Sequence, residues 1–112
     1  KTETMKTLKF ASNLVSLILS GEKTVTWRLF DDKELKEGDT LEFINKETGE
    51  KFAQAEILSV REKRLDDIEE SDYEGHEKFN TAEEMLETYR GYYGDRVIGD
   101  TIVKIIRFKI VD

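Results

Sequence analysis

The sequence predicts an α+β fold: a small, partly closed β-barrel of about five strands, mixed but mostly antiparallel, with two main helices packed against it. Three observations lead there. Asn13 to Leu19 and Thr81 to Tyr93 carry apolar residues at helical spacing. Lys46-Glu47-Thr48-Gly49-Glu50 joins two alternating segments as a hairpin connection, with glycine where positive φ is needed. Asp100 to Val111 is apolar on both faces, with Ile102, Ile106, Phe108 and Ile110 on one and Val103 and Ile105 on the other. Such a strand is central or belongs to a barrel.

The remaining elements follow in order. Lys1 to Thr4 read as a disordered start, and Met5 to Phe10 as a short strand with Leu8 and Phe10 on one face. The first helix runs from about Ser12 to Ser20, with Ser12 as N-cap and Leu14, Leu17 and Ile18 as its stripe. Gly21 closes it in the left-handed conformation that glycine adopts without steric cost. β-Branched Thr24, Val25 and Thr26 with aromatic Trp27 read as a strand ending at Arg28. Leu29 to Glu37 is a polar loop in which Phe30 is a covering residue.

Asp39 to Asn45 is a strand with Leu41 and Phe43 facing inward, and its hairpin partner is Lys51 to Arg61. The apolar face of that partner switches from Ala53, Ala55 and Ile57 to Leu58 and Val60, the mark of a bulge or of burial on both faces. Leu65 to Glu70 is a short acidic turn of helix, and Ser71 to Asn80 is irregular. Thr81-Ala82-Glu83-Glu84 is a capping-box pattern. It opens the second helix, whose stripe is Ala82, Met85, Leu86 and Tyr89 and whose end is Gly91 or Gly94.

Composition limits the function. At 112 residues the expectation is one domain, 1–112, able to bury a core without staples. The absence of cysteine excludes disulfides, thiol catalysis and cysteine-based zinc sites. No apolar run is long enough to span a membrane and no basic-then-apolar leader opens the sequence, so a cytoplasmic protein without a membrane partner is expected. The net charge of −7 is unevenly placed. Glu62 to Glu87 holds eleven acids and three bases; the rest of the chain is close to neutral, at +1. A broad basic footprint for long double-stranded nucleic acid is missing, and a nucleoside or short RNA fits better.

The chemistry concentrates in Ser20-Gly21-Glu22-Lys23-Thr24-Val25-Thr26-Trp27-Arg28. Strand alternation puts Thr24, Thr26 and Arg28 on one face and Val25 and Trp27 on the other. The bland reading is a half-buried strand with a solvated polar face. The functional reading is a pocket in which Arg28 grips a carbonyl or phosphate and Lys23 binds an anion or activates a threonine hydroxyl. Alternation also puts Lys23 opposite Thr26, so the two meet only through the long lysine stem or a twist at the strand start. A lysine of ordinary pKa, ~10.4, is a poor base at neutral pH, so a catalytic role requires burial to lower it. Gly21-Glu22-Lys23-Thr24 is not a phosphate-binding loop, which needs glycine directly before the lysine and another upstream.

A second constellation is Asp72-Tyr73-Glu74-Gly75-His76-Glu77. It reads blandly as a solvated acidic loop. It lacks recognised metal-ligand spacing, and no metal or cofactor is expected. A carboxylate from it facing Lys23 and Arg28 would hold the lysine in place and tune its basicity. Trp27, Phe30, Tyr73, Phe79, Tyr92 and Tyr93 flank both constellations, and bases stack on such rings.

Together these residues resemble the ASCH domain family, a branch of the PUA-like superfamily. The resemblance rests on Leu19 to Arg28, with glycine, lysine and strand-end arginine in place, on Gly38-Asp39 opening the next strand, and more softly on Gly75-His76-Glu77-Lys78-Phe79 before the last helix. It covers nearly the whole chain and implies a PUA-like barrel with a cleft beside the lysine-bearing strand. The subgroup most similar in size and motif is the small amidohydrolases that deacetylate N4-acetylcytidine. That likeness assigns catalytic roles to Lys23, Thr26 and Glu77. Thr24, Trp27, Arg28, Glu74 and His76 become expected ligand-binding residues, and Glu74 is the alternative to Glu77. A non-catalytic RNA-binding module, or a ribonuclease using Lys23, Arg28 and His76, are the other functions the resemblance allows.

Overall fold

The computed structural model describes residues 6–30, 34–76 and 78–111. The strands are β1 (Lys6–Phe10), β2 (Val25–Leu29), β3 (Thr40–Asn45), β4 (Lys51–Arg64) and β5 (Ile102–Val111). The helices are α1 (Ser12–Leu19) and α2 (Ala82–Tyr93). The strands form one sheet in the order β1-β3-β4-β5-β2, curled into a half-barrel. β1 and β3 are parallel and every other pair is antiparallel. No helix among the described residues is long and apolar enough to cross a membrane.

The sheet buries both faces. Its concave side holds Leu8, Phe10, Leu41, Phe43, Ile57 and Phe108, closed at one end by Ile18 of α1. Phe43 is the hub, with Phe10 at 4.7 Å and Phe108 edge-on at 4.9 Å. The outer side of β2 and β5 carries Trp27, Leu29, Val103 and Ile105, covered by Met85 and Tyr89 of α2. Consecutive Ile105 and Ile106 enter different cores, as the two-faced apolar pattern of this strand requires.

β4 shows the expected bulge. Its register against β5 shifts between Ile57 and Ser59, leaving Leu58 as the extra residue. Before the shift Ala55 and Ile57 point into the barrel; after it Val60 packs there. One inserted residue changes the parity and keeps the apolar side inward.

Two local expectations are corrected. Ser12 is the first residue of α1 rather than its cap; Ala11 is the N-cap and contributes no side-chain bond. The hairpin supplies what the cap would: Glu47 accepts from the Ser12 backbone N–H at 3.0 Å, and Asn45 from its hydroxyl at 3.0 Å. Ala82 is exposed, so the buried stripe of α2 begins at Met85. The Thr81 cap itself forms, accepting from Glu84 N at 3.0 Å, and Gly94 ends the helix with φ 96°. The acidic segment folds as two 3₁₀ turns, Leu65–Asp67 and Glu70–Tyr73.

Asp72 pins that segment to β4. It is only 3% exposed, yet it accepts from Lys63 Nζ at 2.8 Å, from Arg61 Nη2 at 3.1 Å and from the Glu69 backbone N–H at 2.8 Å. Burial opposes its ionisation, but these donors outweigh burial and hold the carboxyl below its ordinary value. The folded pKa is therefore the lower one, and the stabilisation is present above the unfolded value, ~3.9, and lost as pH falls through the folded value. Asp72→Asn should cost about 1–3 kcal/mol at pH 7 and flatten the acid limb of the stability curve below about pH 4. Urea melts between pH 2.5 and 7 check this; parallel curves for the two proteins would refute it.

Candidate functional site

The site starts where α1 stops. Gly21, at φ 87°, turns the chain, and the N–H groups of Gly21 and Lys23 donate to Ile18 and Leu17 carbonyls at 3.2 and 3.0 Å. Lys23 is thus held by the end of the helix and precedes β2. Strand parity does not govern it, and its side chain lines the same cleft as Thr26. Lys23 is 4% exposed, and its Nζ donates to the Val25 carbonyl at 2.9 Å.

The cleft is about 260 Å³ and lies at the seam between the two edge strands, β1 and β2. Its inner wall is Lys23, Thr26, Trp27 and Arg28; α2 contributes Tyr89, Tyr92 and Tyr93. Thr26 is 4% exposed and pairs with Ile106, facing the concave side. Arg28 reaches across the seam. Its Nε donates to Thr26 Oγ1 at 3.2 Å and its Nη2 to the Lys9 carbonyl at 3.0 Å, with the guanidinium 4.6 Å above the Phe10 ring. The hydroxyl that Arg28 orients keeps its own proton to give.

Aromatic rings build the other wall. His76 stacks on Trp27 at 4.1 Å with planes 16° apart, and Tyr89 lies near-parallel to it with ring centroids 6.2 Å apart. Trp27 is buried beneath these rings, so it is a wall rather than a stacking platform. Tyr92, 66% exposed, is the lining ring open to a ligand. Trp27 Nε1 is the buried side-chain polar atom that has no hydrogen-bond partner among the described residues. Such a donor costs free energy until something accepts from it.

The structure brings Lys23, Thr26, Trp27, Arg28 and His76 to one cleft. Thr24 and Glu74 lie elsewhere. Thr24 and Val25 both donate backbone N–H groups to the Gly75 carbonyl, at 2.9 and 3.2 Å. Glu74 is exposed and sits 4.0 Å from Arg107. Glu77 lies outside the described residues. Asp72, Glu74 and His76 turn to different partners, and no metal-holding group of such residues occurs among the described ones. Two larger, more open depressions, about 680 and 520 Å³, run along the acidic segment and contain none of the expected site residues.

Sequence reasoning missed Lys9, Phe10 and Lys46 as cleft residues, because β1 and the hairpin reach the site only through the curl of the sheet. The apolar stripe of α2 marks Tyr89 as core alone; its spacing with Tyr92 and Tyr93 at i+3 and i+4 marks one helix face.

Gly75 joins the His76 loop to β2 at a positive φ of 79°, and a Cβ there would overlap Thr24 Oγ1. Gly75→Ala should destabilise by about 1–3 kcal/mol and loosen the His76–Trp27 stack. Since Trp27 is the chain's single tryptophan, its emission should change in the folded variant. Unchanged emission with unchanged denaturation would contradict this role.

A family model described as the ASCH domain matches residues 3–112. A protein of Enterococcus faecalis V583 shares the fold with TM-score 0.80 at 17% identity, covering 100% of this chain and 83% of its own. An ASCH domain from Lactobacillus crispatus JV V101 gives 0.73 at 18%, covering 96% and 79%. A protein from Pyrococcus furiosus gives 0.66 at 19%, covering 97% and 99%. No curated protein matches the chain.

Proposed function

We propose, from the premise that the chain belongs to the ASCH domain family, that its cleft binds a modified nucleoside or short RNA and removes an acyl group from an exocyclic base amine, with N4-acetylcytidine as the type substrate. One observation carries this reading: a buried lysine and a buried threonine hydroxyl oriented by an arginine line one nucleoside-sized cleft.

The chemistry follows from those groups. Thr26 Oγ1 attacks the acetyl carbon while Lys23, acting as the base, takes its proton. Arg28 holds the hydroxyl in place. Arg28 also stabilises the charge that develops on the carbonyl oxygen. Collapse breaks the C–N bond, the Lys23 ammonium returns the proton to the departing base amine, and water hydrolyses the threonyl ester. Glu77 takes the carboxylate role that the resemblance assigns, orienting the lysine.

The test is deacetylation of N4-acetylcytidine followed by absorbance, with Lys23→Ala and Thr26→Val alongside. Each substitution should lower turnover by about 10²–10⁴-fold. Absence of turnover by folded wild-type protein would remove the amidohydrolase reading.

A binding module without turnover is the second reading, favoured by the exposed Tyr92 ring and the cationic lining of the cleft. Base stacking contributes about 1–3 kcal/mol per base and needs no catalyst. A steep fall of RNA affinity with salt, without turnover, would select it. A ribonuclease reading has less support, since Arg28 is engaged by Thr26 and the Lys9 carbonyl.

A further inference from the structure

The lysines of this acidic protein are mostly spoken for. Lys6, Lys51, Lys63, Lys78 and Lys109 each sit against a carboxylate. Lys9 and Lys46 make no such contact: neither ammonium has a hydrogen-bond or ion-pair partner among the described residues, a state shared with Lys36 elsewhere on the surface, and Lys46 acts on its neighbour Glu47 only through longer-range attraction. Both line the cleft. The fold puts them side by side, because Lys9 is followed by Phe10, whose carbonyl accepts from Lys46 N at 2.8 Å. The described residues lining the cleft include no carboxylate, in a chain with 25 acids and 18 bases. Two unpaired cations at the rim of an aromatic cleft are arranged for an anion carried by the same ligand that enters it.

We infer that the ligand is a nucleotide rather than a nucleoside: Lys9 and Lys46 bind its phosphate while its base enters the cleft beside Tyr92. This rests on the nucleoside-binding reading above and adds the phosphate. Lysine suits the task as a mobile point charge on a flexible stem, able to follow a phosphate that is fixed only by its sugar. The phosphate belongs either to a free mononucleotide or to an RNA strand; the chemistry recognised is the same. Neither lysine enters the acyl-transfer steps, so they set which substrates are held rather than how they react.

Trp27 emission, with calorimetry as a second readout, gives affinities for cytidine, cytidine 5′-monophosphate and a cytidine tetranucleotide. The monophosphate should bind about tenfold or more tightly than cytidine, as one charge-assisted hydrogen bond provides. In the Lys9→Gln/Lys46→Gln double variant the preference should fall to about one, while Lys36→Gln keeps it. Gain from monophosphate to tetranucleotide identifies a strand as the source of the phosphate, and no gain identifies a free nucleotide; either supports the inference. Equal binding of cytidine and its monophosphate by the wild type, or a preference surviving in the double variant, overturns it and leaves the nucleoside reading intact. Failure of all three ligands to bind removes both.

Discussion

Arg28 ties together two strands that never pair. In the sheet order β1 and β2 are the two edges, and no ladder joins them. Open edges are commonly blunted or covered. Here a single guanidinium spans the gap, bonded to a β2 hydroxyl on one side and a β1 carbonyl on the other, with an aromatic ring beneath it. Closing the seam with a side chain leaves room that a sixth strand would have filled. The cleft is that room.

This arrangement gives every cleft residue a structural reason for its position. Lys23 is fixed by the end of α1, Thr26 by its place opposite Ile106, and His76 by the Gly75 carbonyl that holds the loop to the start of β2. The acidic segment is drawn away by Asp72, which commits Arg61 and Lys63 to the far side of β4. Negative charge is thereby concentrated on one flank of the molecule, and the seam keeps cations in a protein whose net charge is −7. The overall charge is thus a poor guide to the field a ligand meets.

Much of this could be read from the chain because it depends on neighbours in sequence. The alternation of Leu41 and Phe43, the parity change between Ile57 and Val60, the two-faced strand at Ile105 and Ile106, and the Thr81–Glu84 cap are local patterns, and each is realised. What escaped depends on distance. Ser12 looked like a cap because its partners, Asn45 and Glu47, lie more than thirty residues away. Lys23 looked misplaced because strand parity was extended two residues before the strand begins. Lys9 and Lys46 carried no signal at all, since only the parallel pairing of β1 with β3 brings them to the site. Glu74, a plausible alternative from spacing alone, sits instead by Arg107 on the surface.

The bulge at Leu58 has a reach that its size does not suggest. Arg61 and Lys63 point outward to Asp72 only because one extra residue precedes them in β4. Losing that residue would turn the rest of the strand over, burying two cations and exposing Val60. The anchored segment would come loose with it, and that same segment carries the ring that covers Trp27. The length of the barrel wall is therefore a fixed count, and tolerance to insertion and deletion belongs to the hairpin around Gly49 rather than to the strand that leaves it.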